Sequence, residues 1–222
     1  MVQKSPARRG RPRAYDPDQA LAQAMSVFWD EGYAATSLDD LAAETGMNRP
    51  SLYAAFGDKR ALYRRALQSY RDQAVAAINA VLRRDIPVRQ AFRALYDLAV
   101  SLYLQGEHGQ RGCFLISTAL AESVLDKDMR SLAADALNEF EAAFASCIRA
   151  ARDRGELPRD ADPVALASVA SGVLYALSVR ARTGAARDEL DAIIAAGIAT
   201  LFPGAGAPAR RRTPEKRKPP HR

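Results

Sequence analysis

The chain has 222 residues, 48% hydrophobic and 26% charged, with a formal net charge of +6. Those proportions are those of a globular protein of one or two domains with enough apolar material for a core. No run of about 18 consecutive apolar residues occurs, and the basic start, Lys4 to Arg13, is not followed by an apolar stretch and cleavage site. Neither a membrane span nor a secretory leader is expected, and the protein reads as cytoplasmic. Two cysteines, Cys113 and Cys147, are too few for a disulfide framework and are not spaced as zinc ligands.

In chain order, residues 1–14 read as a flexible basic arm carrying Lys4, Arg8, Arg9, Arg11 and Arg13. Asp16-Pro17 predicts an N-cap with proline in the first turn. The helix it opens carries Leu21, Met25, Phe28 and Trp29 on one face and ends at Gly32. Thr36 with Asp39 and Ser37 with Asp40 form two overlapping capping boxes for a short helix to about Thr45. Gly46 allows the tight turn, and Asn48 caps a third helix with Leu52 and Phe56 inward. Further helices are expected over Lys59–Arg84, Val88–Gln105 (with Phe92, Leu95, Leu98, Ala99 and Leu102 inward), Cys113–Val124, Lys127–Arg154, Asp162–Arg182 and Arg187–Phe202. Gly106 to Gly112 reads as a loop. No strand alternation and no internal repeat occurs, so the fold class is all-α. Residues 203–222 form a basic tail, suited to a polyanion or simply to solubility. The domains expected are an arm (1–14), a helix-turn-helix DNA-binding unit (15–60), a helical regulatory and dimerisation unit (61–202) and the tail.

Residues 37–56 are two short helices joined by a glycine turn and backed by a preceding helix, which is the helix-turn-helix pattern. The second of them, about Arg49 to Phe56, spans roughly 12 Å and fits a major groove. Asn48, Arg49 and Ser51 stand at its start, and Arg49 is the candidate base reader because its fork matches a guanine edge. Ser51 and Tyr53 suit phosphate, Pro50 allows close backbone approach, and Lys59 opens the next helix with free amides.

The stretch from Gly10 to Leu62 resembles the TetR/AcrR family of bacterial regulators. The matching runs are Phe28-Trp29-Asp30-Glu31-Gly32-Tyr33, Thr36-Ser37-Leu38-Asp39-Asp40-Leu41-Ala42, Gly46-Met47-Asn48-Arg49-Pro50-Ser51-Leu52-Tyr53 and Phe56-Gly57-Asp58-Lys59. The resemblance implies a three-helix reader, a ligand-binding and dimerising helical domain, and a homodimer on a palindromic operator in double-stranded DNA. It also implies DNA contacts from Ser37, Asn48, Arg49, Pro50, Ser51, Tyr53 and Lys59, with Arg9, Arg11 and Arg13 added from the arm. The effector it implies is an unnamed small molecule.

Within the regulatory unit, Tyr70, Tyr96, Tyr103 and Tyr175 beside Phe114, Phe140 and Phe144 are either the polar-tipped wall of a ligand pocket or ordinary core. Ser168, Ser171, Gly172, Ala176, Ala195, Ala196 and Gly197 are small enough for close helix approach, with Leu174, Leu177, Ile194, Ile198 and Leu201 as apolar area. Together they mark a dimer face of two helices per subunit, or a face packed within the monomer. Cys113 follows Arg111-Gly112 at an expected helix start, where cation and helix dipole would lower its pKa. It is therefore either a thiol sensor or a small buried residue. Cys147 reads as core. With only His108 and His221 and no phosphate loop, nucleophile elbow or metal cluster, no enzyme, cofactor or metal is expected. The function expected is a ligand-responsive repressor. Its alternatives are an activator or thiol-sensing regulator of the same fold, and a helical small-molecule-binding protein without a DNA target.

Overall fold

The computed structural model describes residues 15–105, 110–122, 124 and 126–204, and every regular element among them is helical. The arm with Arg9, Arg11 and Arg13, His108, and the tail from residue 205 lie outside the described residues.

Helix α1 (Pro17–Glu31) begins where the Asp16 carboxylate accepts the Asp18 amide at 2.9 Å, and it ends at Gly32. Its buried side is Ala20, Ala24, Phe28 and Trp29, while Leu21 and Met25, expected inward, stay half-buried. The shift has a packing cause: α1 is flanked by two other helices, and the alanines let them approach. Of the two capping boxes only the second forms. Ser37 Oγ accepts the Asp39 and Asp40 amides, both at 3.2 Å, and Asp40 accepts the Ser37 amide at 2.7 Å to open α2 (Leu38–Thr45). Thr36 is buried and donates its hydroxyl to the Gly32 carbonyl at 2.7 Å, closing the turn after α1. Gly46, at φ 63°, occupies the left-handed conformation that the turn into α3 (Arg49–Phe56) needs.

Asp58 caps α4 (Lys59–Leu82), which packs on α1 at one end and on α7 along its length, so one helix belongs to both units. After α5 (Val88–Tyr103), the helix expected over Cys113–Val124 is wound differently. A π-helical stretch, Leu115–Ala119, runs into a single α turn, α6 (Leu120–Glu122). Then come α7 (Lys127–Asp153), α8 (Pro163–Arg182) and α9 (Arg187–Leu201), the first two capped by Asp126 and Asp162.

Helix α8 lies between α5, α7 and α9. By length and composition it is apolar enough to cross a membrane, yet only one side faces the core. Ser171, Leu174 and Leu177, expected on a dimer face, are buried in the monomer together with Ile194, Ile198 and Leu201 of α9. Gly197 lies against Val173, whose methyls stand 3.0 Å from where a Cβ would be, so that close approach holds α8 and α9 together. Ser168, Gly172, Ala176, Ala195 and Ala196, expected on the same face, do stay exposed, alongside Val164, Val169 and Val179 of α8 and Ala192 and Ala199 of α9. The expected residues thus divide between two faces: the small ones stay outside, and the larger aliphatics turn inward because the monomer's own core takes them first.

Candidate functional site

Asn48 caps α3, its Oδ1 accepting the Ser51 amide at 2.9 Å, and Leu52 and Phe56 anchor the helix in the core. That anchoring turns Arg49, Pro50, Tyr53 and Ala54 outward, with Tyr53 49% exposed. Arg49 is not a free side chain. Asp39 of α2 grips it through Nε at 2.8 Å and Nη2 at 2.5 Å, which leaves Nη1 and one Nη2 hydrogen for another acceptor. From the sequence, Asp39 is expected only as the capping-box partner of Thr36; its pairing with Arg49, ten residues on across the turn, needs the helix crossing to be seen. Ser37 is exposed, but its oxygen already serves the α2 cap, and Ser51 is half-buried. The Lys59 ammonium lies 4.5 Å above the Tyr33 ring at the start of α4. Its neighbour Arg60 is bound to Asp126, at 2.6 and 2.9 Å, and to Asp128, at 2.7 Å.

The regulatory unit holds a cavity of about 300 Å³ between α4, α5, α7 and α8. Of the expected pocket residues, Tyr70, Tyr103, Cys113 and Phe140 line it. Tyr96, Phe114, Phe144 and Tyr175 do not. The Tyr96 hydroxyl donates to the Ala170 carbonyl at 2.9 Å and its ring packs on Phe92, as does that of Phe144. Phe114 packs among Trp29, Tyr63 and Tyr70, and Tyr175 is half-buried elsewhere on α8. Leu98, Ala99 and Leu102, expected to face the core, Leu174, expected on a dimer face, and Trp29 of α1 line the cavity as well. Leu98 is 45% exposed, so a helical apolar stripe here borders empty space rather than packed side chains.

Cys113 lies ahead of the π-helical turn, 4% exposed, with its amide donating to Ser178 Oγ at 2.8 Å and its sulfur 3.3 Å from the Tyr70 hydroxyl. Burial pushes the thiol above its ordinary pKa. The amides of Leu115 and Ile116 act in the lowering direction expected of a helix start, but burial outweighs them. Arg111, expected to help, points away to Asp30, at 2.6 and 2.5 Å, and to Ser26. Of the two expectations for Cys113, its burial matches the small buried residue, and the lowering of its pKa by a cation and helix start is not what the site produces.

Trp29 joins the two units. Its indole N–H donates to the Gly112 carbonyl at 3.2 Å, its ring meets Tyr70 edge-on at 5.0 Å, and it forms one wall of the cavity. Arg182 of α8 donates to the carbonyls of Trp29, Asp30 and Arg111, each at 3.2 Å. The end of α1 is thus fastened to the regulatory unit beside the cavity.

Residues 20–66 match the family described as bacterial regulatory proteins, tetR family, and residues 88–197 match the tetracyclin repressor-like C-terminal domain. The chain is 34% identical to the HTH-type transcriptional repressor ComR of Escherichia coli (strain K12), over 82% of this chain and 87% of that one. It is 35% identical to the HTH-type transcriptional activator FasR of Mycolicibacterium smegmatis, over 51% of this chain and 53% of FasR. A solved structure of the TetR family regulator CifR, a cysteine mutant complexed with 26-base-pair double-strand operator DNA, is similar at a TM-score of 0.76 and 34% identity. That match covers 85% of this chain and 98% of CifR.

Proposed function

The chain belongs to the TetR family of bacterial regulatory proteins and is a DNA-binding transcriptional regulator, and on that premise we propose that it is a ligand-responsive repressor, acting in the cytoplasm as a homodimer on a palindromic operator. Two α3 helices enter successive major grooves, about one helical turn apart, and Arg49 reads a guanine edge while Tyr53 and Lys59 hold phosphate. The observation that carries the regulatory part is Trp29: a side chain of the reader forms a wall of the cavity in the other unit. A ligand there touches α1 directly and α4 through Tyr70, and both lead to α3. By linkage, operator DNA weakens ligand binding by the factor that ligand weakens operator binding. ComR, a repressor, supports repression.

Selection of binding sites from random duplex DNA with the purified full chain tests this. An enriched palindrome supports the dimeric, sequence-specific reading. General salt-sensitive binding without enrichment overturns it. Transcription in vitro from a promoter carrying the selected site separates repression from the activation that FasR stands for.

A second reading, thiol sensing, is favoured by the place of Cys113 on the cavity wall. A reagent small and neutral enough to enter would meet its sulfur. If Cys113 reacts no faster in the native protein than in the unfolded chain, this reading fails.

A further inference from the structure

Among the described residues, the cavity wall contains no Asp, Glu, Lys, Arg or His. The nearby cations are engaged elsewhere: Arg71 with Glu139, Arg111 with Asp30, and Arg182 with backbone carbonyls. An ionic ligand would shed its hydration here and find no countercharge among the described lining residues. The buried polar groups of the wall are gathered at its inner end, where the Tyr70 and Tyr103 hydroxyls both bear on the Cys113 sulfur. Burial pushes all three groups up, so at neutral pH each keeps its proton and is a donor. Thiol sulfur is a weak acceptor, so these donors are poorly matched as they stand. The body of the cavity is Ala74, Ala77, Ile78, Leu98, Leu102 and Phe140, and the exposed Gln73, Ser101 and Gln105 mark its open side.

We propose that the cavity takes an uncharged, mostly apolar molecule of about ten non-hydrogen atoms whose single hydrogen-bond acceptor, a carbonyl or ether oxygen, receives the Tyr70 and Tyr103 hydroxyls. The proposal rests on the reading of the cavity as the effector site and adds the chemistry that site selects. Its apolar body lies against α4, α5 and α7, and one side rests on Trp29.

Trp29 is the chain's one tryptophan and lines the cavity, so its emission reports occupancy. The probes are four molecules of one shape: cyclohexyl methyl ketone, isopropylcyclohexane, cyclohexanecarboxylate and cyclohexylethylamine, titrated into the full chain at neutral pH. The ketone is expected to shift the Trp29 emission saturably, with the carboxylate and the ammonium at least a hundredfold weaker. Tyr70→Phe and Tyr103→Phe, made singly and together, are expected to weaken the ketone by about tenfold in the pair and to leave the hydrocarbon unchanged. Ala99→Phe, which fills the cavity, is expected to abolish all binding. Charged probes binding within tenfold of the ketone, ketone affinity indifferent to both tyrosines, or no binding by any probe overturns the proposal. Fluorescence anisotropy of labelled operator in the same samples separates this from the regulatory reading. Selective binding that leaves operator affinity untouched upholds the ligand chemistry and refutes the effector role.

Discussion

At the scale of single residues, the Arg49–Asp39 pair determines what the recognition helix offers. Both side chains are largely exposed, at 55% and 72%, so the pair adds little to stability. Its effect is orientation: the carboxylate holds one edge of the guanidinium and leaves the end-on edge for another acceptor, in the proposed reading a base. Arg49→Ala is expected to relax preference at one operator base pair by roughly tenfold to a hundredfold. Asp39→Ala is expected to blur the same position while raising affinity for random duplex, because an acid leaves the DNA-facing side. Repeating the site selection with each variant checks both, and an unchanged selected site after Arg49→Ala ends the base-reading role. Tyr53→Phe and Lys59→Ala are expected to weaken all sequences alike. Arg49 and its exposure were legible from the helical period and the cap at Asn48. Asp39 was legible only as a cap residue, because its partner lies across a turn. Gly112 is the other residue that determines a geometry. At φ +64° with the Ser178 carbonyl 2.8 Å from a would-be Cβ, it admits no larger residue. Gly112→Ala is expected to lower the Tm and loosen Trp29, whose emission would move toward that of an exposed indole.

At the scale of elements, helix boundaries follow from local chemistry, and helix faces from neighbours. Asp16, Ser37, Asn48, Asp58, Asp126 and Asp162 each cap a helix with their own side chain, a contribution of about 1 kcal/mol apiece. The proposed dimer face of α8 and α9 is a stripe of small residues and valines that the monomer leaves bare. Val169→Glu or Ala176→Glu is expected to turn the dimer into a folded monomer with weak operator binding, as read by sedimentation and circular dichroism. A dimer that survives both changes would move the interface elsewhere. The fastening of α1 to the regulatory unit gives a further expectation. Asp30→Ala removes the partner of Arg111, a partly buried pair, and should cost about 1 kcal/mol, or roughly 3 °C in Tm. Faster hydrogen exchange over residues 26–33 and 110–113 would mark the loosened joint.

At the scale of the whole molecule, the two units are held at fixed places: Trp29 on Gly112, Arg111 and Arg182 on the end of α1, Tyr63 on Thr118 at 2.9 Å, and Arg60 on Asp126. The Arg60 hydrogen bonds hold the Asp126 carboxyl down to about 2. A depressed acid stabilises above its unfolded pKa, and that stabilisation goes as pH falls through its folded value, so this joint is expected to open in acid between about pH 4 and 2. Buried thiols and phenols have the opposite sign. Burial pushes Cys147 up to about 11 and raises Cys113, Tyr70 and Tyr103. Their protonated forms favour the fold below the unfolded pKa, so the Tm is expected to hold level near neutrality and to fall as pH rises from about 9 toward 11. A Tm that stayed level to pH 11 would contradict the burial of these groups.

Sequence by itself determined the all-α class, the element order, the caps, the helix-turn-helix and the outward face of α3. Each of these depends on residues within a few turns of one another, where period, glycine and cap chemistry act locally. Tertiary structure decided which apolar stripes are core and which border a cavity, that Leu174 and Ile194 turn inward, that Cys113 keeps its proton, and that Trp29 belongs to both units. Those outcomes depend on what lies opposite each side chain, and no period along the chain records how much of a neighbour's volume is left unfilled.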